Sequence, residues 1–213
     1  MKKQFTEEPA VPVRRSAASL AAERRALEAA THAISARRQR DMLPGKIVTP
    51  RLVLRAPIRG DVPDLVRLAD NKKIYDVLAR LPHPYTRADG IAFVEIMAQR
   101  ADERPYAITL NGQFIGIVGF SYAEGEPPEL GYWLGEPHWG KGIMSEAVKG
   151  LIEAAFSTHA YPRIKSRALA SNAASLNVLE KAGFKRIGEG LDTVGNAAGR
   201  ATIYLMLEQP KWM

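Results

Sequence analysis

The sequence predicts a mixed α/β domain, a mixed sheet with helices on both faces, preceded by a helical N-terminal extension. Three observations predict it. Helix-type patterns come first, then an Asn-Gly hairpin, then the order strand–helix–strand–helix–strand–strand. Hydrophobic residues make up 46% of the 213 residues, enough for a substantial core. Composition changes at Pro44-Gly45, which divides an Ala- and Arg-rich segment, residues 1–46, from a main domain over residues 47–213.

Each element has a local reason. Residues 1–15, with Pro9, Pro12 and mixed charge, are expected to be disordered. Residues 16–41 read as a helix rich in Ala, Leu, Glu and Arg, with Ser16 as its N-cap. Its apolar stripe is narrow (Leu20, Leu27 and Ile34, spaced by seven), which suits docking on its own domain or on a second copy. Ile47–Ile58 reads as a strand closed at Arg59-Gly60, and Asp61 as the cap of a helix bearing Val62, Leu65, Val66 and Leu68. Asn71–Leu81 reads as a second short helix. Thr86 and Asp89 form a capping box for a third, with Ile91, Phe93, Val94, Ile96 and Met97.

Strands then dominate. Tyr106–Leu110 and Phe114–Tyr122 flank Asn111-Gly112, a type I′ turn signal. Glu129–Leu134 is a strand bounded by Pro127-Pro128 and Gly135-Glu136-Pro137. After the turn His138–Gly142 comes a helix, Ile143–Thr158, with Met144, Ala147, Val148, Leu151 and Ala155 on one face. Arg163–Ala170 is a strand and Asn172–Ala182 a helix stopped by Gly183. Phe184–Gly190 and Ala201–Glu208 are the last two strands.

Composition excludes several chemistries. Without cysteine there is no disulfide framework, no cysteine metal site and no cysteine nucleophile. The four histidines are scattered, so no metal site is expected. No apolar run approaches the ~18–20 residues of a membrane span, and the basic start lacks a signal-type apolar region. A cytoplasmic protein with no membrane partner is the expectation. Ten Lys and Arg against five Asp and Glu lie in residues 1–46, so most of the +7 charge sits there. That excess suits a polyanionic cofactor as well as nucleic acid or an anionic membrane, and charge alone does not separate them. No nucleic-acid partner is expected.

The chemistry concentrates between Gly131 and Phe184. A strand runs into a two-glycine turn and a helix starts at once. Amides at a helix start bind anions, and the dipole adds to the effect. Gly140 and Gly142 allow close backbone approach, and Lys141 adds charge. A pyrophosphate site of backbone amides from Trp139 to Met144 is therefore expected, including those of Ile143. Seen alone, Gly-Lys-Gly reads equally well as a tight turn with a surface lysine.

Two linked motifs sharpen this reading. ELGYWLGEPHWGKGIMSEA and, further on, SNAASLNVLEKAGFKRIGE resemble the GNAT superfamily of N-acetyltransferases. The closest likeness is to the Rim-type branch of ribosomal-protein N-terminal acetyltransferases. The opening TPRLVLRAP before an Asp-initiated helix fits that branch too. The resemblance covers roughly residues 47–208. It implies a twisted, mostly antiparallel sheet whose middle strands splay, and acetyl-CoA as co-substrate, its pantetheine arm inserted between Glu129–Leu134 and Arg163–Ala170. It implies a pyrophosphate on Trp139-Gly140-Lys141-Gly142-Ile143-Met144. One departure stands out: Met144 occupies a place where Gly or Ala is usual, and its side chain either crowds the phosphates or points inward.

The resemblance also implies residue roles. Asn172 and Ser175 match an N-x-x-S element, with Asn172 near the pantetheine and Ser175 the candidate acid for the leaving thiolate. Both fit helix capping equally well. No tyrosine lies in that helix to serve instead. Glu129 is the candidate base for the acceptor amine, and Asn177 a further CoA contact. Backbone N–H groups near Tyr132, Trp133 and Leu134 are candidates to polarise the thioester carbonyl. Lys185 and Arg186 are weighed for the CoA 3′-phosphate against solvated surface charge. Glu146 and Glu180 are expected to pair locally or to cap, not to catalyse. The implied reaction is direct acetyl transfer to a primary amine, a protein N-terminus or a small molecule. The competing reading is a non-catalytic CoA-binding or regulatory module with a basic partner-binding helix, and a homodimer through that helix is a further expectation.

Overall fold

The computed structural model describes residues 16–210, and the expectation for residues 1–15 lies outside the described residues. The chain opens with α1 (Ala17–Met42), capped by the Ser16 side chain, which accepts from the Ser19 amide at 3.1 Å. The stripe does not dock on its own domain: Leu20, Leu27 and Ile34 are all exposed, and Ala36 is the buried residue of α1. The helix is held at its C-terminal end. Arg40 Nε donates to the Glu103 carbonyl at 2.9 Å, and the Tyr161 hydroxyl donates to the Gln39 carbonyl at 2.8 Å.

The expected strand Ile47–Ile58 is two strands. β1 (Lys46–Val48) and β2 (Leu52–Arg55) pair as a hairpin around Thr49-Pro50-Arg51. Pro50 has no amide hydrogen for a ladder, and the Thr49 hydroxyl accepts from the Leu52 amide at 3.1 Å, which turns the chain. α2 (Val62–Ala69) follows. Asp61 precedes it but does not cap it with its side chain. Its carboxylate takes two 2.7 Å bonds from Arg55 and one of 2.9 Å from the Ile58 amide.

The second short helix shrinks to α3 (Lys72–Tyr75). The carbonyls beyond it are claimed from outside. The Asn196 side chain donates to Leu81 O at 2.7 Å, its amide donates to Ala79 O at 3.0 Å, and Arg200 reaches Asp76 O. A carbonyl bonded across the fold is diverted from a helical ladder. α4 (Arg87–Glu95) carries the expected Thr86–Asp89 capping box, but stops before Ile96 and Met97, both exposed.

The rest follows the sequence closely. β3 (Glu103–Leu110) and β4 (Gln113–Ser121) join through Asn111 and Gly112, both at positive φ. Next come β5 (Glu129–Leu134), α5 (Ile143–Ser157), β6 (Arg163–Leu169), α6 (Ala173–Lys181), β7 (Lys185–Leu191) and β8 (Ala201–Glu208). Gly183 ends α6 at φ +94°.

Among the described residues these strands form one eight-stranded sheet, ordered β1-β2-β3-β4-β5-β6-β8-β7. All neighbours are antiparallel except β5 and β6. One core lies between the sheet and α5 and α6, with Leu130, Leu151, Ile164 and Leu179 at its centre. A second lies on the opposite face under α2 and α4, around Leu65, Val94, Phe114 and Ile117. Each fully buried Leu or Ile contributes about 1.5–3 kcal/mol of burial, so both helical layers are firmly anchored.

Candidate active site

The site begins where the sheet comes apart. Among the described residues β5 and β6 pair at two positions only, Glu129↔Lys165 and Leu130↔Ser166. From Gly131 onward the strands diverge, while β5 stays zipped to β4 up to Leu134↔Gly116. The Gly135 amide donates to Ile115 O at 2.9 Å, which sets the antiparallel alternation. By that alternation the amides of Tyr132 and Leu134 point into the gap, whereas those of Gly131 and Trp133 face β4.

The gap leads to the start of α5. Gly140 and Gly142 have φ of +72° and +70°, and a Cβ on Gly140 would meet nothing within 4 Å. Gly142 is the N-cap residue and no side chain caps the helix, in contrast to Ser16, Thr86 and Asn172 at α1, α4 and α6. The turn is braced from behind. Trp139 Nε1 donates to Leu134 O at 2.6 Å, and Lys141 Nζ donates to Pro137 O at 2.8 Å. Arg51, which no sequence signal singled out, donates to Lys141 O at 3.0 Å and to Glu146 at 2.6 Å. Glu146 therefore pairs across the fold with Thr49 and Arg51, not locally as expected. Glu180 does pair nearby, with Arg186 at 2.8 Å.

Ile143 and Met144 are 3% and 8% exposed and sit in the core. Met144 thus takes the inward alternative. Met144 still borders the cavity, and its backbone stays in the first turn. These features fit a CoA diphosphate: uncapped amides, an open glycine and a nearby gap lined by strand amides.

Ser175 sits in the first turn of α6, where Asn172 Oδ1 accepts its amide at 3.1 Å, so Asn172 is the cap and the Ser175 side chain takes no part in it. The Ser175 hydroxyl is not idle. It lies 2.9 Å from the Tyr132 hydroxyl, which also donates to Ser175 O at 3.1 Å. A tyrosine does stand at this helix, supplied by β5. Burial pushes the Tyr132 phenol up to about 12, so it stays protonated at neutral pH. Asn177 is exposed at the cavity's edge.

A cavity of about 990 Å³ joins these parts. It runs from the α5 turn and α6 past the gap to the opposite face of the sheet. There Trp133 packs against Phe114, ring centroids 6.0 Å apart, and Ile74, Leu81, Tyr85 and Phe93 supply apolar wall. Glu129 reaches this face, where Arg167 Nε lies 3.0 Å from one oxygen and Lys165 Nζ 3.8 Å from the other. Arg167 is also tied to buried Asp192 at 3.1 Å. Glu103, not foreseen from sequence, lines the same cavity beside Arg80 at 3.3 Å.

Comparison with known proteins shows the family and the fold. Residues 51–185 match the acetyltransferase (GNAT) domain family model. An uncharacterized N-acetyltransferase p20 of Bacillus licheniformis is 37% identical over 78 residues, 36% of this chain and 44% of that protein. The ribosomal-protein-serine acetyltransferase of Escherichia coli is 36% identical over 59 residues, 27% of this chain and 33% of that one. These alignments span less than half of either relative. Among solved structures, RimL, an alpha-N-protein acetyltransferase in complex with coenzyme A, superimposes with a TM-score of 0.68 at 24% identity. The match covers 76% of this chain and 97% of that one. A GNAT-family acetyltransferase from Bacillus anthracis gives 0.68 at 21% identity, covering 77% and 98%. At such identities the structural likeness speaks for the fold.

Proposed function

This chain belongs to the acetyltransferase (GNAT) domain family, and from that premise we propose that it transfers acetyl directly from acetyl-CoA to a primary amine. The observation that carries the reading is the β5–β6 gap, with two strand amides facing it and an uncapped helix start beside it. In this reading the amides of Gly140–Met144 hold the diphosphate, and Lys141 adds charge nearby. Trp139 braces that turn. Asn177 borders the cofactor end. The Tyr132 and Leu134 amides pair with the pantetheine arm or polarise the thioester carbonyl. Trp133 forms apolar wall for the acceptor.

The amine nitrogen attacks from the Glu129 face, and the Glu129 carboxylate attracts the incoming ammonium. On the other face, Ser175 gives its proton to the departing thiolate and is resupplied through Tyr132, whose phenol holds its own proton at neutral pH. No covalent acyl-enzyme is required. The acceptor side is a walled pocket, which admits a small amine or the extended end of a protein chain. For the exposed stripe of α1 a second copy is the proposed partner.

Thiol release from acetyl-CoA is the direct test, across 2-phenylethylamine, polyamines and peptides with free Ser, Ala or Thr N-termini. The expected result is amine-dependent release. Thermal stabilisation by CoA with no turnover on any amine would favour the non-catalytic module instead. Within the active protein, Ser175→Ala is expected to lower kcat about 10- to 100-fold while the acetyl-CoA KM stays within about threefold. An unchanged kcat would leave the Ser175 hydroxyl with its bond to Tyr132 alone.

A further inference from the structure

Four Cα partners cross the sheet in one row: Glu103↔Ser121, Ser121↔Glu129 and Glu129↔Lys165. Residues directly opposite one another project to the same face. That face also carries Gly131 and Trp133, two and four residues along β5 from Glu129. At a strand spacing of about 4.8 Å, Glu103 and Glu129 lie roughly 10 Å apart at Cα. Only the small Ser121 stands between them.

The next row along is Pro105↔Gly119↔Gly131. It carries no long side chain, and a Cβ on Gly131 would meet nothing within 4 Å. The floor beside the two carboxylates is therefore open up to Trp133. Glu103, Glu129 and Trp133 border one void, next to the place where β5 and β6 part.

The two carboxylates differ in their partners. Glu129 is held between Arg167 and Lys165. Glu103 has a single side-chain partner among the described residues, Arg80 at 3.3 Å. Its backbone carbonyl is fixed by Arg40 of α1. The charged groups around it are Arg80 and Arg100, which favour the carboxylate, and Asp102 and Glu129, which oppose it. Burial outweighs them and pushes the Glu103 carboxyl up to about 7. A base suits neutral pH best when its own pKa lies near that pH.

On the acetyl-transfer reading above, we propose that Glu103 takes the proton from the acceptor's ammonium, directly or through one water. Glu103 carboxylate accepts one proton from R–NH3⁺ and becomes a neutral carboxyl. The freed nitrogen lone pair forms the C–N bond and the thioester C–S bond breaks. The amide retains one N–H. The nitrogen sheds its second departing proton to solvent, Ser175 passes one to the CoA sulfur and is reprotonated through Tyr132, and the first leaves Glu103 for solvent, which resets the site.

The test compares Glu103→Gln, Glu103→Asp and Glu129→Gln with the wild type, using the amine that turns over fastest in the panel. The wild type is expected to show kcat/KM rising with pH through about 7, as Glu103 loses its proton. Glu103→Gln is expected to lose about a hundredfold at neutral pH together with that limb, with Glu103→Asp recovering part of both. Glu129→Gln is expected to raise the acceptor KM and keep the limb. An equal thermal shift with CoA checks that each variant is folded. Carbon-13 glutamate NMR, which needs no acceptor, is expected to show one carboxyl titrating near pH 7 in the wild type and none in Glu103→Gln. An active wild type whose Glu103→Gln variant stays within about threefold with its limb intact overturns the assignment. A wild type inert toward every amine sinks the acetyl-transfer reading itself, and this one with it.

Discussion

Gly142→Trp is expected to abolish coenzyme A binding, raising its Kd by at least about a hundredfold, some 2.7 kcal/mol. Two effects combine. The residue has φ +70°, a left-handed conformation that costs an L side chain about 1–2 kcal/mol. It is also the N-cap of α5, so an indole there would cover the amides of the first turn. Gly142→Ala separates the two, since it brings the strain without the bulk and points its Cβ toward Arg51 Nη2, 3.7 Å away. Calorimetric titration is expected to give intermediate affinity for the alanine variant and none for tryptophan. Equal affinity in all three proteins would place the phosphates elsewhere.

Gly131→Leu is expected to reduce acetyl transfer by at least about a hundredfold while leaving the fold intact. The position is an extended strand residue, not a positive-φ glycine, and the space above it is open. A leucine can therefore stand there without backbone strain. It would occupy the void between Glu129, Glu103 and Trp133, where the acceptor nitrogen must approach. The melting temperature should move by no more than about 4 °C, the effect of roughly 1 kcal/mol. Affinity for CoA should change little, because the cofactor's amides lie on the gap side of β5. A variant that transfers acetyl normally would move the acceptor to another face.

Much of this fold was legible because its signals are local. Asn111-Gly112 declares a hairpin, Pro127-Pro128 and Gly135 bound a strand, and Gly183 stops a helix. Ser16 and Thr86 act through residues three positions away. The failures involve partners distant in sequence. Nothing around Asn71–Leu81 reveals that Asn196 and Arg200, more than a hundred residues on, take its carbonyls and halt the helix. Asp61 reads as a cap until β2 brings Arg55 against it.

The site divides along the same line. Trp139–Met144, Asn172 and Ser175 sit in contiguous motifs and could be named in advance. The meeting of the Tyr132 hydroxyl with Ser175 is not legible in the sequence, because it depends on how α6 packs over β5. Arg51 and Glu103 carry no motif. Arg51 matters because the first hairpin runs beside the α5 turn, and Glu103 because burial and register set it opposite Ser121, in one row with Glu129. The direction of the Met144 side chain is likewise a matter of packing.

The most direct measurement is a crystal structure of the chain with coenzyme A. The account predicts the diphosphate on the amides of residues 140–144 and the pantetheine arm between β5 and β6, hydrogen-bonded to the Tyr132 and Leu134 backbone. A cofactor bound outside that gap, or a sheet in which β5 and β6 pair along their whole length, would contradict it.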